Sequence, residues 1–231
     1  MKRIIVMAIS ILLALTLAMP VAFGQVGQGS KASGSTGELA AAWWQWALSK
    51  PAAESPLFGG GSSYNKKQCD GEPVTATPDE TWFLAGLAGT DAVERTCTVP
   101  AGSTLFFPVV TSVFVFTDPD TDTDEQARES ASGFIDALLA DPDFEMTITV
   151  DGEEIKNTRI VRAETPFFEV QLPRNNVFGV PKGEYRAFAD GLWVTLGPLP
   201  PGEHTIEWEM SAPNVGFSQN ITYNLTVVAG G

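Results

Sequence analysis

The sequence has 231 residues, a length that suits one domain with a full core or at most two small domains. It contains 28 Asp and Glu against 14 Lys and Arg, which gives a formal net charge of −14. Proteins that bind nucleic acid need clustered Lys and Arg to displace counterions from phosphates, and the sequence has no such cluster. The composition therefore excludes nucleic acid as a partner, and it disfavours anionic membrane surfaces for the same reason.

The first 24 residues have the pattern of a secretory signal peptide. A basic start, Met1 to Arg3, precedes the apolar run Ile4 to Ala18, and small residues at Ala22 and Gly24 form a cleavage motif before Gln25. The alternative is a membrane anchor, but a run of this length falls short of the roughly 20 residues that span a bilayer. We expect residues 1–24 to be removed and the mature protein to be secreted or periplasmic, with no membrane span after cleavage.

Residues 25–36 are predicted to be a flexible segment, and residues 37–231 a single domain. A helix is expected to begin at a capping box, in which Ser35 and Glu38 satisfy each other's free amides, and to end before Pro51. The helix carries Trp43, Trp44 and Trp46 on a wide apolar surface. We expect this surface to pack into a core, with a sugar or lipid platform as the alternative.

Cys69 and Cys97 are the only cysteines in the sequence. In an oxidising compartment two cysteines pair by default, so a disulfide is predicted between them. It would attach the loop-like, Gly- and Pro-rich residues 51–80 to the strand region ahead of Cys97. A reactive thiol or a metal site would need a base or further ligands nearby, and the sequence offers none.

The pattern changes to strands after residue 80. Thr81 to Ala85 and Thr104 to Val110 are near-continuous apolar runs, typical of strands buried on both faces, and Val113 to Phe116 extends the second run. A second capping box, Thr123 to Gln126, predicts a helix that continues to the Asp141–Pro142 pair.

The rest of the sequence is predicted to be strands and turns. Asp151–Gly152 lies between apolar runs and indicates a hairpin. Strict alternation in His204 to Met210 and in Ile221 to Val227 gives each of these strands one buried and one wet face. The remaining short strands are expected at Arg159–Ala163, Phe167–Leu172, Tyr185–Phe188 and Leu192–Leu196. We therefore predict a mainly β fold, an antiparallel β-sandwich of jelly-roll or immunoglobulin-like type with two accessory helices.

An acidic loop before the second helix is a candidate calcium site. Its carboxylates follow the spacing of a calcium-binding loop. However, Thr123 occupies the position at which such loops have glycine for a sharp turn, and no helix is predicted before the loop. The alternative is a solvated acidic start to a helix, favoured by the helix dipole. The candidate ligands are Asp118, Asp120, Asp122, Asp124 and Glu129.

No residues form a recognisable catalytic motif. The single histidine, His204, shares a strand face with apolar residues and is expected to be structural. Two pairs of carboxylates, Glu153 with Glu154 and Glu207 with Glu209, are similar to the acid pairs that glycosidases use, and the second pair lies on one strand face. With 28 acidic residues in the chain, such pairs also arise by chance.

Seven short motifs occur in order along the chain. They are Trp43–Ser49, Trp82–Gly86, Arg95–Gly102, Leu105–Pro108, Leu172–Asn176, Ala189–Trp193 and Leu199–Ile206. With these motifs the sequence resembles a family of uncharacterised secreted proteins, mainly prokaryotic, over nearly all of the mature chain. The resemblance implies one continuous domain, and it implies no activity, substrate or site residue.

The function predicted from the sequence is that of an exported, non-enzymatic binding or structural module for an extracellular ligand or protein. Calcium is a candidate ligand, and no other cofactor is indicated. The alternative is a secreted carbohydrate-active hydrolase that uses a carboxylate pair.

Overall fold

A computed structural model describes residues 35–57, 81–90, 92–156 and 159–229. These residues contain two α-helices, α1 (Thr36–Leu48) and α2 (Asp124–Leu139), and one 3-10 turn (Ala52–Glu54). They also form ten strands: β1 (Thr81–Phe83), β2 (Ala92–Pro100), β3 (Thr104–Val115), β4 (Glu145–Val150), β5 (Glu153–Glu154), β6 (Ile160–Glu164), β7 (Phe168–Leu172), β8 (Gly183–Leu196), β9 (Gly202–Ala212) and β10 (Phe217–Val228).

The strands form two sheets of five. In sheet A the order is β1-β3-β8-β6, and β7 also pairs with β8; in sheet B the order is β2-β10-β9-β4-β5. The prediction of a mainly β, sandwich-like fold with two helices is confirmed in these terms.

Both sheets are mixed, which differs from the antiparallel sandwich that the sequence predicts. β1 runs parallel to β3, and β2 runs parallel to β10. Between β1 and β3 the chain crosses to sheet B to form β2 and then returns to sheet A. No local sequence signal indicates this crossover.

The main core lies between the two sheets. Trp208 of β9 is stacked on Phe107 of β3, with ring centroids 4.7 Å apart, and on Tyr223 of β10, at 5.7 Å. Aromatic side chains bury large apolar areas and dominate the energetics of a core of this kind. The aromatic stack therefore ties β3 of sheet A to two neighbouring strands of sheet B.

Helix α1 covers the outer face of sheet A. Its capping box forms as predicted, with the Ser35 hydroxyl accepting from the Glu38 amide and the Glu38 carboxylate accepting from the Ser35 amide. Trp43 and Trp44 are buried, and Trp43 Nε1 donates to the Leu84 carbonyl at 2.8 Å. These tryptophans thus pack into a core, as predicted in preference to a ligand platform.

β8 is one long strand where the sequence predicts two. The dipeptide Asp190–Gly191 lies in its middle and resembles a turn, but the Asp190 side chain is fully buried. Its carboxylate accepts from Arg162 Nε at 3.1 Å and Nη2 at 2.7 Å, and from the Gly191 amide at 2.7 Å. Arg162 also donates to Asp136 at 2.6 Å, which attaches α2 to sheet A.

The described helices are too short or too polar to cross a membrane.

Candidate functional site

The outer face of sheet B is built from the polar residues of four alternating strands. Along β2, β10, β9 and β4 every second side chain points away from the core, because successive residues of a strand point to opposite faces. Five outward side chains are carboxylates, and most of the others are Thr, Ser or Asn. The five are Glu94, Glu145, Glu203, Glu207 and Glu209.

Hydrogen bonds between neighbouring strands hold several of these side chains in place. Asn224 Nδ2 donates to Glu94 at 2.7 Å, and the Thr226 hydroxyl donates to Glu203 at 3.0 Å. Asn220 Nδ2 donates in the same way to Glu209. The face is therefore a polar surface on which Glu94, Glu203 and Glu209 are held by side chains of neighbouring strands.

A groove of about 300 Å³ crosses one end of this face. Small side chains at Ala92, Ser211 and Ser218 leave space between the longer side chains of Glu145 and Glu209. The groove follows from the register, because Ser211 pairs with Glu145 on one side and with Ser218 on the other. Its lining contains two carboxylates and no Lys or Arg, so the groove is acidic.

The predicted carboxylate pair Glu207 and Glu209 lies on this outer face, and both residues are exposed. Glu207 accepts from the Thr149 hydroxyl at 3.3 Å. Only Glu209 lines the groove. The other pair, Glu153 and Glu154, forms the short edge strand β5 and is exposed.

His204 lies on the same face of β9 as Ile206 and Trp208, as the alternation predicts, and it contacts two connecting segments. Its Nδ1 lies 2.8 Å from Asp151 Oδ2, and its Nε2 lies 2.8 Å from the Pro200 carbonyl oxygen. The hydrogen bond to Asp151 raises the pKa of His204 above its ordinary value, and the same bond lowers the pKa of Asp151. Because both ring nitrogens face acceptors, the protonated ring satisfies both contacts.

The acidic loop does not gather its side chains around a common point. Asp122 Oδ2 accepts from the Asp118 amide at 2.8 Å, and Asp118 Oδ1 accepts from the Asp120 amide at 3.2 Å. Asp124 is paired with both terminal nitrogens of Arg186, whose hydrogen bonds lower the pKa of Asp124.

Glu129 lies on α2 and is exposed. Among the residues that the structure describes, no group of three or more His, Cys, Asp or Glu side chains could hold a metal ion. Calcium binding by the acidic loop stays a prediction.

Cys97 lies on the inner face of β2 and is 2% exposed. Cys69 falls outside the described residues, so the disulfide between the two also stays a prediction.

Arg95 is a buried charge that was not predicted from the sequence. It is 1% exposed on the inner face of β2. Its Nη2 donates to the Pro56 carbonyl at 2.9 Å and to the Gly86 carbonyl at 3.1 Å, and its Nη1 donates to the Tyr223 hydroxyl at 2.8 Å and to the Ala85 carbonyl. The alternation of β2 was the available signal, since it places Arg95 on the same face as the buried Cys97.

Comparisons with known proteins add no family. No family model matches the sequence, and no curated protein matches it. A solved structure described as PbICP-C in complex with falcipain-2 is similar at 11% identity and a TM-score of 0.25, over 64% of this chain and 98% of that chain. The solution structure of amebosin is similar at 12% identity and a TM-score of 0.20, over 59% of this chain and 96% of that chain. Similarity at this level supports no conclusion about function.

Proposed function

We propose that the protein is an exported, non-enzymatic binding module whose acidic face, the outer face of sheet B, binds a cationic partner. The observation that carries the proposal is the difference between the two sheets. Helix α1 covers the outer face of sheet A. Among the described residues, no helix or strand is paired with or packed across the outer face of sheet B.

The charge of the acidic face selects the class of partner. Its strands contribute five outward carboxylates, and the one arginine of these strands, Arg95, is buried on the opposite face. Lysine and arginine side chains form charge-assisted hydrogen bonds with carboxylates, which are stronger than bonds between neutral groups. Carboxylates that are already held by side chains of neighbouring strands need little reordering when such a partner binds.

The same surface is less suited to sugars. Aromatic rings that stack on sugar faces are absent from the outward positions of β2, β4, β9 and β10, since Trp208, Tyr223 and Phe217 all belong to the inward set. A basic protein segment therefore fits this face better than an oligosaccharide.

Binding of an arginine-rich peptide, measured by isothermal titration calorimetry, tests the proposal. The double variant Glu145→Gln/Glu209→Gln removes both carboxylates of the groove, and we expect the peptide to bind about tenfold more weakly. The matched control is Glu125→Gln/Glu129→Gln, which changes the net charge equally at exposed positions of α2. Equal weakening in both variants would reduce the effect to net charge and contradict a specific site.

Export is part of the proposal and has its own test. We expect mass spectrometry of the exported protein to find Gln25 at its N-terminus. Peptide mapping without reduction should recover a peptide in which Cys69 and Cys97 are linked. An exported chain that keeps residues 1–24 would contradict the signal peptide.

A carbohydrate-active hydrolase is the second candidate. The observation in its favour is that Glu207 and Glu209 lie on one exposed strand face. Glycosidases place two acids across the scissile bond, about 5 to 10 Å apart. Turnover of any polysaccharide that Glu207→Gln or Glu209→Gln abolishes would favour this candidate over the binding module.

Three finer assignments are proposed beside the main one. The first is the jelly-roll or immunoglobulin-like type of the sandwich, and the second is membership of the secreted family that the seven motifs resemble. Calcium binding is the third, and thermal unfolding with chelator and with calcium tests it, because a ligand of the native state raises the midpoint.

A further inference from the structure

Residues 173–182 connect β7 to β8 and form a loop that we call the docking loop. Asn176 holds it from within: this side chain is 4% exposed, and its Nδ2 donates to the Pro173 carbonyl at 2.9 Å and to the Val180 carbonyl at 2.8 Å. Its Oδ1 accepts from the Phe178 amide at 3.1 Å and the Val180 amide at 3.3 Å. One buried amide thus makes four hydrogen bonds to the loop backbone, so the loop is already shaped before it meets a partner.

The docking loop carries an exposed aromatic ring and two exposed cations. Phe178 is 38% exposed, while Val177 and Val180 turn inward and pack against the core under α1. Arg174 and Lys182, which come four residues before and four residues after Phe178 in the sequence, are exposed, and residues 173–182 contain no Asp or Glu. A single exposed apolar residue is ordinary. The docking loop, however, is ordered and combines an exposed ring with two positive charges. It is therefore a local region of positive charge on a chain whose net charge is −14.

The groove on the acidic face has the complementary chemistry. It is flanked by Glu145 and Glu209, and the small side chains of Ala92, Ser211 and Ser218 lie between them. Its volume of about 300 Å³ is ample for one phenyl ring, since a cavity of about 150 Å³ holds benzene. The groove thus offers two carboxylates and space for a ring, and the docking loop offers two cations and a ring.

The two surfaces of one molecule cannot meet each other. The docking loop belongs to the layer of sheet A and α1, to which it is attached by the Ala52 amide donating to the Asn175 carbonyl at 2.8 Å. The groove lies on the outer face of sheet B, on the far side of the core between the sheets. Contact between the loop and the groove therefore requires two molecules.

We propose that the docking loop of one copy inserts Phe178 into the acidic groove of a second copy, with Arg174 and Lys182 beside its carboxylates. The contact joins two different surfaces, so it is heterologous and adds molecules head to tail. It rests on the proposed function, because it names a second copy of this chain as the cationic partner of the groove. A single loop buries little area, so the association is weak.

Sedimentation velocity of the purified protein over a range of concentrations, at about 0.15 M salt, tests the proposal. We expect the wild-type protein to form species larger than a monomer as its concentration rises. Two variants each remove one half of the contact and should be monomeric alone. They are the loop variant Phe178→Ala/Arg174→Gln/Lys182→Gln and the groove variant Glu145→Gln/Glu209→Gln.

A mixture of the two variants gives the decisive result. The loop variant keeps its groove and the groove variant keeps its loop, so a mixture should form dimers and nothing larger. Leu139→Ala, which shortens another exposed apolar side chain, should associate as the wild type does. Unchanged thermal midpoints show that the variants are folded.

Three outcomes overturn the proposal: a monomeric wild-type protein, a single variant that associates normally, or a mixture that forms no dimer. The arginine-rich peptide separates this failure from that of the proposed function. If the protein is monomeric but its groove binds the peptide, only the head-to-tail contact is contradicted. If the groove binds neither a second copy nor the peptide, both proposals are contradicted.

Discussion

Arg95 connects three parts of the chain that are distant in sequence. Its guanidinium reaches Pro56 after α1, Ala85 and Gly86 after β1, and Tyr223 on β10. The Tyr223 hydroxyl in turn accepts from the Ala85 amide at 2.9 Å. Backbone carbonyls buried at this place need a donor, and a buried acceptor without one costs about 1–3 kcal/mol.

We expect Arg95→Met to destabilise the protein by about 3 kcal/mol, because it keeps the bulk of the side chain and removes every donor. Urea unfolding of the wild-type protein and the variant measures the difference. Arg174→Met makes the same change at an exposed position and should shift the free energy of unfolding by less than about 0.5 kcal/mol. Equal effects in the two variants would show that the buried hydrogen bonds do not stabilise the fold.

His204 makes stability depend on pH in a defined window. Its pKa is raised by Asp151, so its contribution is complete below about pH 6.5 and is lost as pH rises through the raised pKa. The pKa of Asp151 is lowered by His204, so its contribution is present above about pH 4 and is lost as pH falls through the lowered pKa. Glu203 is the other carboxylate that acts on the ring. The pair therefore stabilises the fold most between these limits.

We expect the urea midpoint of the wild-type protein to fall between about pH 6 and about pH 9, and His204→Gln to remove much of that fall. The chain has one histidine, so no second imidazole contributes to the slope. A variant with the wild-type slope would assign the pH dependence to other groups.

At the scale of the element, β3 and β8 approach each other closely at Gly191. A Cβ added there would lie 2.7 Å from both the Thr111 Cβ and the Val110 carbonyl oxygen. The Thr111 hydroxyl also donates to the Asp190 carbonyl at 2.9 Å. The strands pair beside a register shift between Pro108 and Val110, and only glycine fits opposite this irregular segment.

We expect Gly191→Ala to destabilise the protein by about 2–3 kcal/mol, because the clash includes backbone that cannot move aside. Gly133→Ala is the matched control, since a Cβ at this position of α2 meets nothing within 4 Å. Removing a glycine from a helix interior stabilises by about 0.5–1 kcal/mol, so the two alanines should act in opposite directions. Thermal unfolding of both variants measures this.

Helices and strands that depend on local signals were predicted well from the sequence. Features that depend on contacts between distant residues were not. The two capping boxes located the starts of α1 and α2, because each box depends on residues three positions apart. Asp190–Gly191 has the composition of a turn, but in the folded protein both residues pair with β3 and β6 within a strand. The parallel pairing of β2 with β10 depends on how the chain crosses between sheets, which no window of sequence contains.

In the candidate site, too, local sequence predicted some features, and others depend on contacts between strands. Alternation in β9 and β10 predicted a wet face that includes Glu207 and Glu209, and these side chains do lie there. The groove arises only when Ser211 of β9 is placed opposite Glu145 of β4, and that register is a property of the folded sheet. The role of the buried Asn176 amide likewise could not be predicted, because it depends on four hydrogen bonds to the loop backbone.

At the scale of the whole molecule, the excess of acidic residues acts against compactness. At a formal net charge of −14 the excess carboxylates repel one another, and dissolved salt screens that repulsion. We expect the thermal midpoint to rise by about 2–4 °C between about 0.02 M and about 0.5 M sodium chloride, which corresponds to about 1 kcal/mol. A midpoint that falls with salt would show that local ion pairs outweigh the net repulsion.

The pairing of β2 with β10 also sets the order in which the protein is able to fold. The residues of Ala92–Pro100 align with Asn220–Val228, so this ladder joins two strands that lie far apart in the chain. Contacts between distant segments slow folding, because the entropy of closing the loop is lost before the contact is made. β10 pairs with β9 as well as with β2, so sheet B cannot be completed, and β2 cannot join it, until β10 is available.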